Sequence, residues 1–379
     1  MEGFGSCELD LSEDGWEHPR ESEVASSAAL VRGMLSTESS RGARISGFDM
    51  ATCSDIPGGC GVSSSAAFEM LAGVMARAMF SDEEVDPLQL ALDGVIAERE
   101  FFGKPSGAQD QLASAFGGAV FMDFSTYPPS VERMDFDPSQ ASLEMCLIDS
   151  RLDHAMFGDE FAMVANDMAD VAHHLGCSKL IEIPERRVLD DLADLRRELG
   201  DRKILRALHF YGEVHRVRRQ FDNISRGDWN GFIEVMRLSG SSSAEFLQNI
   251  YPTSDSCAYS HKSDACGAEA GIEESGNKSV PNITIDGCRN SQAEENDEPL
   301  ITVRQPLVIL ALCSHLLSED GGWRVHGGGF GGSVVAIMPH TSSNSFAGDM
   351  NRWLGYDAVM PVRVSQSGAR AWRADASLS

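Results

Sequence analysis

The spacing of apolar residues changes several times along the chain, and each change marks an element. Phe68, Leu71, Ala72, Met75 and Met79 recur at the interval of one helical face. They follow a glycine- and serine-rich run over 57–65, so a loop feeds directly into a helix. Pro87 suits a first helical turn and opens a second helix through Leu90, Val95 and Ile96, ending near Gly103. A modest helical stretch covers 24–35, and 45–54 reads as a strand. A short helix over 109–117 precedes two strands, 119–124 and the buried run 145–150. Further helices are predicted over 157–175, 186–199, 203–224, 228–237 and 304–317. The stretch 323–339 then reads as strand, glycine loop, strand. No internal repeat is visible at a period of ~20–50 residues.

One segment breaks this succession. Residues 253–300 are rich in Ser, Asn, Glu, Asp and Gly, hold three of the nine cysteines and few apolar residues. Such a composition buries too little surface to offset ordering entropy, so a long flexible insertion is expected there.

Length and charge bound what the elements can build. At 379 residues the chain has room for two domains of roughly 100–200 residues each. It carries 31 Lys and Arg against 58 Asp and Glu, a net charge of −27. Repulsion from phosphate backbones and anionic lipid argues against nucleic-acid or membrane partners. A small anion remains admissible, because a local cluster of backbone N–H groups can hold one against a negative background. The cysteines form no C-x-x-C pair and no zinc spacing. Cys53, Cys60, Cys146 and Cys313 stand in apolar or glycine-rich surroundings that suit reduced structural thiols. No stretch approaches the roughly 18 apolar residues of a membrane span, and the acidic amino terminus is no signal peptide. A cytoplasmic location is expected. Oligomeric state is not legible.

Candidate chemistry is concentrated in three places. In Pro57-Gly58-Gly59-Cys60-Gly61-Val62-Ser63-Ser64-Ser65-Ala66-Ala67, glycines permit positive φ and leave no Cβ in a ligand's way. The serines stand where a helix begins, so free amide donors and the positive end of the dipole face one spot. A tight turn with a serine cap explains one serine and one glycine, but not three of each in the eight residues from Gly58 to Ser65. The run lacks the Gly-Lys-Ser/Thr ending of a Walker A loop, and its glycine spacing is wrong for a dinucleotide fingerprint. The second place is Gly103-Lys104-Pro105-Ser106-Gly107-Ala108-Gln109-Asp110-Gln111-Leu112-Ala113-Ser114. Taken alone, an aspartate near a helix start is usually a cap. The third is Arg324-Val325-His326-Gly327-Gly328-Gly329-Phe330-Gly331-Gly332-Ser333. A crowded glycine-rich hairpin would account for it, although five glycines in six residues cost much chain entropy.

Together these three runs resemble the GHMP kinases, and within them the galactokinases. The first run resembles that family's second motif, whose loop wraps the phosphates of ATP while a serine helps to bind Mg2+. The resemblance implies nucleotide contacts from Pro57, Gly58, Gly59, Gly61, Val62, Ser63, Ser64, Ser65 and Ala66, with Ser64 and Ser65 toward the metal. The second run is similar to G-x-P-x-G-I-M-D-Q-x-A-S, whose aspartate faces the sugar's anomeric hydroxyl, and Asp110 stands at that position. Ala108-Gln109 here replaces Ile-Met. Glu98 corresponds to a family glutamate on the preceding helix and is implied as a second ligand to Mg2+. Within Glu98-Arg99-Glu100, a solvated side chain is the plainer reading. The third run resembles G-x-G-F-G-G, implying that Gly327, Gly328 and Gly329 close on substrate and nucleotide, with His326 in place of a Thr or Ser. Residues 207–243 add a family-like helix, Gly-Asp turn, helix and serine-rich end. The resemblance spans most of 20–252 and 300–373.

The galactokinase first motif, G-R-V-N-L-I-G-E-H-x-D-Y, has no counterpart upstream of Pro57. The expectation is an α+β, two-domain GHMP-kinase-like fold, truncated at its amino end. Residues 1–150 would form an incomplete β/α ATP-binding domain with the phosphate loop, and 151–379 an α+β carboxy-terminal domain. The implied reaction is phosphorylation of galactose at its anomeric hydroxyl by ATP with Mg2+, giving galactose 1-phosphate and ADP, with Asp110 as base. A kinase for another sugar or a small alcohol such as mevalonate is the nearest alternative. A sugar- or ATP-binding regulatory relative without turnover is the alternative of another class. The Gly-x-x-Asp-Gln-x-x-Ser run favours the galactokinase branch.

Overall fold

The computed structural model describes residues 7–56, 60–81, 84–104, 106–252 and 301–372. The predicted insertion over 253–300, and Pro57, Gly58 and Gly59 of the first loop, lie outside the described residues. The amino-terminal half is a helical layer on a small hairpin: α1 (Ser27–Ser40), α2 (Ser64–Phe80), α3 (Pro87–Ile96), α4 (Gln109–Phe116), then β1 (Ala119–Asp123) and β2 (Ser130–Met134). Local chemistry fixes the helix starts. Ser26 accepts from the Ala29 amide at the head of α1, and Asp86 accepts from Leu88 ahead of Pro87. Each such cap is worth about 1 kcal/mol. Met34, Met70, Leu90, Ala91 and Leu112 fill the centre of this layer, and Met122 and Val131 of the hairpin pack beneath it.

The predicted strand over 45–54 is not formed; that segment has no regular structure. Strands need a partner for their amides and carbonyls, and among the described residues β1 and β2 pair only with each other. Ile45, Phe48 and Met50 instead spread onto the helical layer, with Phe48 edge-on to Phe80.

The carboxy-terminal half is built on β3 (Leu143–Leu152), a helical group of α5 (Gly158–His174), α6 (Glu185–Asp190), α7 (Leu192–Leu199), α8 (Asp201–Arg226) and α9 (Trp229–Ser242), then α10 (Gln305–Leu317), β4 (Gly322–Val325), β5 (Gly332–Pro339), α11 (His340–Leu354) and β6 (Val359–Val362). The four strands form an antiparallel sheet in the order β4-β5-β3-β6. Its strands alternate: Ile148, Val334, Ala336 and Met338 go into one core with Ile309, Cys313, Phe346 and Met350, while Leu143 and Ile337 meet Ile233 and Met236 of α9 on the other face. The single helix predicted over 186–199 is two, parted at Asp191.

The chain's end returns to the first half. Ser365 accepts from the Gly118 amide at 2.6 Å, and Ala369 joins the helical core. A Cβ on Gly368 would lie 2.0 Å from the Ala115 carbonyl oxygen, so only glycine fits that crossing. Phe121 of β1 also meets Phe221 of α8 edge-on. These contacts tie the two halves to each other. Among the described residues no helix is long and apolar enough to cross a membrane.

Candidate active site

The end of the first loop turns sharply before α2. Gly61 has φ +71° and Ser63 φ +56°, and Ser63 is a left-handed residue other than glycine. Such a conformation costs of order 1 kcal/mol and persists where the surroundings hold it. Ser63 does not cap α2 with its side chain. Its hydroxyl instead donates to Asp110 Oδ2 at 2.5 Å. Asp110 is exposed and is the second residue of α4, so its carboxylate lies between the amino ends of two helices. Both ends are positive, which favours negative charge there. The opening turn of α2, from Ser64 onward, presents amides with no acceptor inside the helix. Ser64 is exposed, whereas Ala66 packs its methyl into the core.

Beneath this surface lies a chain of buried polar groups. Ser65 and Glu69, one turn apart on α2, point the same way. The Ser65 hydroxyl donates to Glu98 Oε1 at 3.2 Å, and Lys104 Nζ donates to the same oxygen at 2.9 Å. Gln111 Nε2 donates to both Glu98 Oε2, at 2.8 Å, and Glu69 Oε2, at 2.9 Å. Glu98 is only 2% exposed, so the solvated reading of that residue is overturned. It stands on a π-helical turn, Ala97–Phe102, that widens the end of α3 and closes with Gly103 at φ +88°. Burial would raise the Glu98 pKa, but the side chains of Ser106, Lys104 and Gln111 outweigh it and hold the carboxylate below its ordinary value. Glu69 behaves oppositely. Complete burial, together with the nearby negative Glu98, pushes it up to about 8 against the help of Gln111. Glu69 is therefore neutral at pH 7, and its Oε1 has no hydrogen-bond partner.

The third loop closes the site from the other half. His326 Nδ1 lies 3.2 Å from the Gly61 carbonyl oxygen, an acceptor, so this nitrogen carries the hydrogen. Burial lowers the His326 pKa despite that bond and the negative Asp110. A Cβ on Gly332 would sit 3.3 Å from the Cys60 carbonyl oxygen, so the two loops meet backbone to backbone. The glycines between them differ in purpose. At Gly328 a Cβ would strike Phe161 at 2.5 Å, and at Gly329 it would strike the Asn249 carbonyl oxygen at 2.1 Å. Packing alone demands glycine there. Gly327, at φ +58°, faces open space.

The expected structural thiols divide. Cys60, Cys146 and Cys313 are buried, and burial raises all three, Cys60 to about 11 and Cys146 to about 12. Cys53 is exposed, which removes it from that group.

Residues 24–118 match the family model described as the GHMP kinases N terminal domain. Among solved structures, galactokinase of Lactococcus lactis, solved in complex with galactose, superposes with a TM-score of 0.63 at 19% identity, over 94% of this chain and 79% of that one. The chain has the GHMP kinase fold. A D-glycero-D-manno-heptose 1-phosphate kinase from Bacteroides thetaiotaomicron superposes with a TM-score of 0.51 at 13% identity, over 92% of this chain and 75% of that one. The resemblance read from the three glycine-rich runs thus holds at the level of the fold, and the family model adds a match over 24–118, which spans the first two runs.

Within the GHMP kinase fold, Gly61, Val62, Ser63, Ser64, Ser65, Ala66 and Asp110 gather at the junction of α2 and α4, with Glu98 directly below and Gly327 on the facing loop. Sequence reasoning passed over Glu69, Gln111 and Lys104. Two signals were available: Glu69 follows Ser65 by one helical turn, and Gln111 follows Asp110 directly. Among the described residues no three His, Cys, Asp or Glu side chains cluster to hold a metal. The pair Ser65 and Glu98 still fits Mg2+, a hard cation commonly held by one or two protein oxygens plus phosphate. Their oxygens converge, and an ammonium group already rests on one of them.

Proposed function

We propose that the chain is an ATP-dependent sugar kinase that phosphorylates galactose at its anomeric hydroxyl. The observation that carries this reading is the contact of Asp110 with Ser63, which sets an exposed carboxylate at the head of α2. The amides from Gly61 to Ala66, with those of Gly58 and Gly59, would receive the phosphates, since a helix amino end is a ready anion site. Ser65 and Glu98, with Ser64 nearby, would hold Mg2+, which supplies neutralisation of phosphoryl charge when bound. Asp110 would accept the proton of the attacking hydroxyl at Oδ1 or Oδ2, the latter being the oxygen Ser63 orients. Gly327, Gly328 and Gly329 would cover the nucleotide side and exclude water. On this reading the molecule divides into domains 1–150 and 151–379 with the site in the cleft between them. The Lactococcus lactis enzyme, solved with galactose, supports a sugar over a small alcohol as acceptor.

A coupled ADP-release assay with galactose, ATP and Mg2+ tests the reading, run beside Asp110→Asn. Galactose-dependent ADP release, reduced roughly 10²–10⁴-fold in the variant, is the expected result. Equal turnover in both proteins would remove Asp110 from the mechanism.

A further inference from the structure

The oxygen pair assigned to the metal is covered by a cation of the chain's own. Lys104 Nζ sits 2.9 Å from Glu98 Oε1, the oxygen that also receives the Ser65 hydroxyl. The backbone builds this placement. Glu98 lies on the π-helical turn, the left-handed Gly103 reverses the chain, and the Gly103 and Lys104 amides both donate to the Glu98 carbonyl oxygen. Lys104 is thus folded back over the residue it pairs with. The two partners are unequal in freedom. The Glu98 side chain is 2% exposed and pinned on its other oxygen by Gln111, while the Lys104 side chain is 49% exposed. Glu98 cannot leave. Lys104, half in solvent, can swing outward.

We propose that Lys104 is a built-in counter-ion, seated on the Ser65–Glu98 pair until a divalent cation arrives with the nucleotide and displaces it. This rests on the assignment of Ser65 and Glu98 to the metal. A free divalent cation entering alone must evict an ammonium group and then remain beside its positive charge. A cation that arrives on a nucleotide brings the phosphate oxygens with which the released ammonium can pair. Metal affinity is thereby coupled to nucleotide binding, and Glu98 keeps a partner for its buried charge in the interval. An unpartnered buried carboxylate would otherwise be costly. Lys104 then acts as a positioning residue for Glu98 and as a brake on metal binding without nucleotide.

The test uses Mn2+ as the probe, titrated into the full chain and followed by the paramagnetic resonance of free Mn2+, first without nucleotide and then with ADP. Lys104→Met keeps the length of the side chain and removes its charge, Lys104→Arg keeps the charge, and Glu98→Gln removes the ligand. Without nucleotide, Lys104→Met should bind Mn2+ about tenfold tighter than the unmodified chain, the scale of one half-exposed charge close to the site. Lys104→Arg should stay within about twofold, since an exposed charge of the same sign remains. With ADP present the gap should narrow. Equal or weaker binding by Lys104→Met without nucleotide, undetectable binding in both included, overturns the proposal. The ADP titration judges the underlying assignment separately: Glu98→Gln should lose Mn2+ there. Retention by Glu98→Gln overturns the metal pair, and the counter-ion with it.

Discussion

The two glycine-rich loops that meet at Gly61 and Gly332 resemble each other in composition and differ in what their residues are for. In the first, Ser63 adopts a left-handed conformation and spends its hydroxyl on Asp110 rather than on its own helix. In the second, Gly328 and Gly329 lie where Phe161 and Asn249 leave no room for a side chain. One loop accepts strain to aim polar groups outward, and the other uses its glycines to pack. Glycine content alone does not reveal which loop holds a ligand. The contacts a Cβ would make separate the two cases.

The largest expected effect lies on the first side of that comparison. Asp110→Asn should lower turnover roughly 10²–10⁴-fold while unfolding in urea stays within about 0.5 kcal/mol of the parent, because the side chain is exposed. A large loss of stability with little loss of turnover would reverse the assignment of the two loops. On the second side, Gly329→Ala should cost about 3 kcal/mol or more in urea unfolding, from both its positive φ and the Asn249 clash. Gly327→Ala, strained but unobstructed, should cost only about 1 kcal/mol. Similar costs at the two positions would erase the distinction.

A smaller effect concerns the buried acids beneath the first loop. The folded-state pKa of Glu69 is raised to about 8 from its ordinary value of 4.5, so the folded protein binds a proton that the unfolded chain releases. The stability this supplies is complete below pH 4.5 and is lost as pH rises through 8. Glu69→Gln, a neutral mimic of the protonated acid, should therefore gain about 1–3 kcal/mol relative to the parent between pH 5 and pH 9. Thermal melts at the two pH values check this, and a parallel pH dependence in both proteins would show that Glu69 does not hold the proton. The smallest effect is at the bridge between the loops. His326→Ala removes one hydrogen bond to Gly61 and should cost about 1 kcal/mol of stability or less, with a few-fold rise in KM.

Much of this arrangement was legible in the sequence, and the limits have physical causes. The helix after the first loop, the loop between β4 and β5 and the position of Asp110 follow from local spacing and from the motif resemblance. Glu98 could not be read as buried, because its burial comes from α2, α4 and a π-helical turn meeting around it. Lys104 and Gln111 were invisible as partners for the same reason: their contacts depend on chain reversal at Gly103 and on helix packing. The strand misread over 45–54 shows the reverse error. Apolar residues spaced like a strand do not form one without a neighbouring edge. Helix α11 escaped notice because its first turns are Thr, Ser and Asn, while Phe346, Met350 and Leu354, four residues apart, carry its buried face.

Calorimetric titration of the full chain with ATP and Mg2+ bears most directly on the claim that amides at the head of α2 grip a nucleotide beside Asp110. The account predicts saturable, Mg2+-dependent binding that Asp110→Asn retains and Glu98→Gln weakens. Absence of any association up to about 1 mM nucleotide, weaker than about 4 kcal/mol of binding free energy, would contradict it.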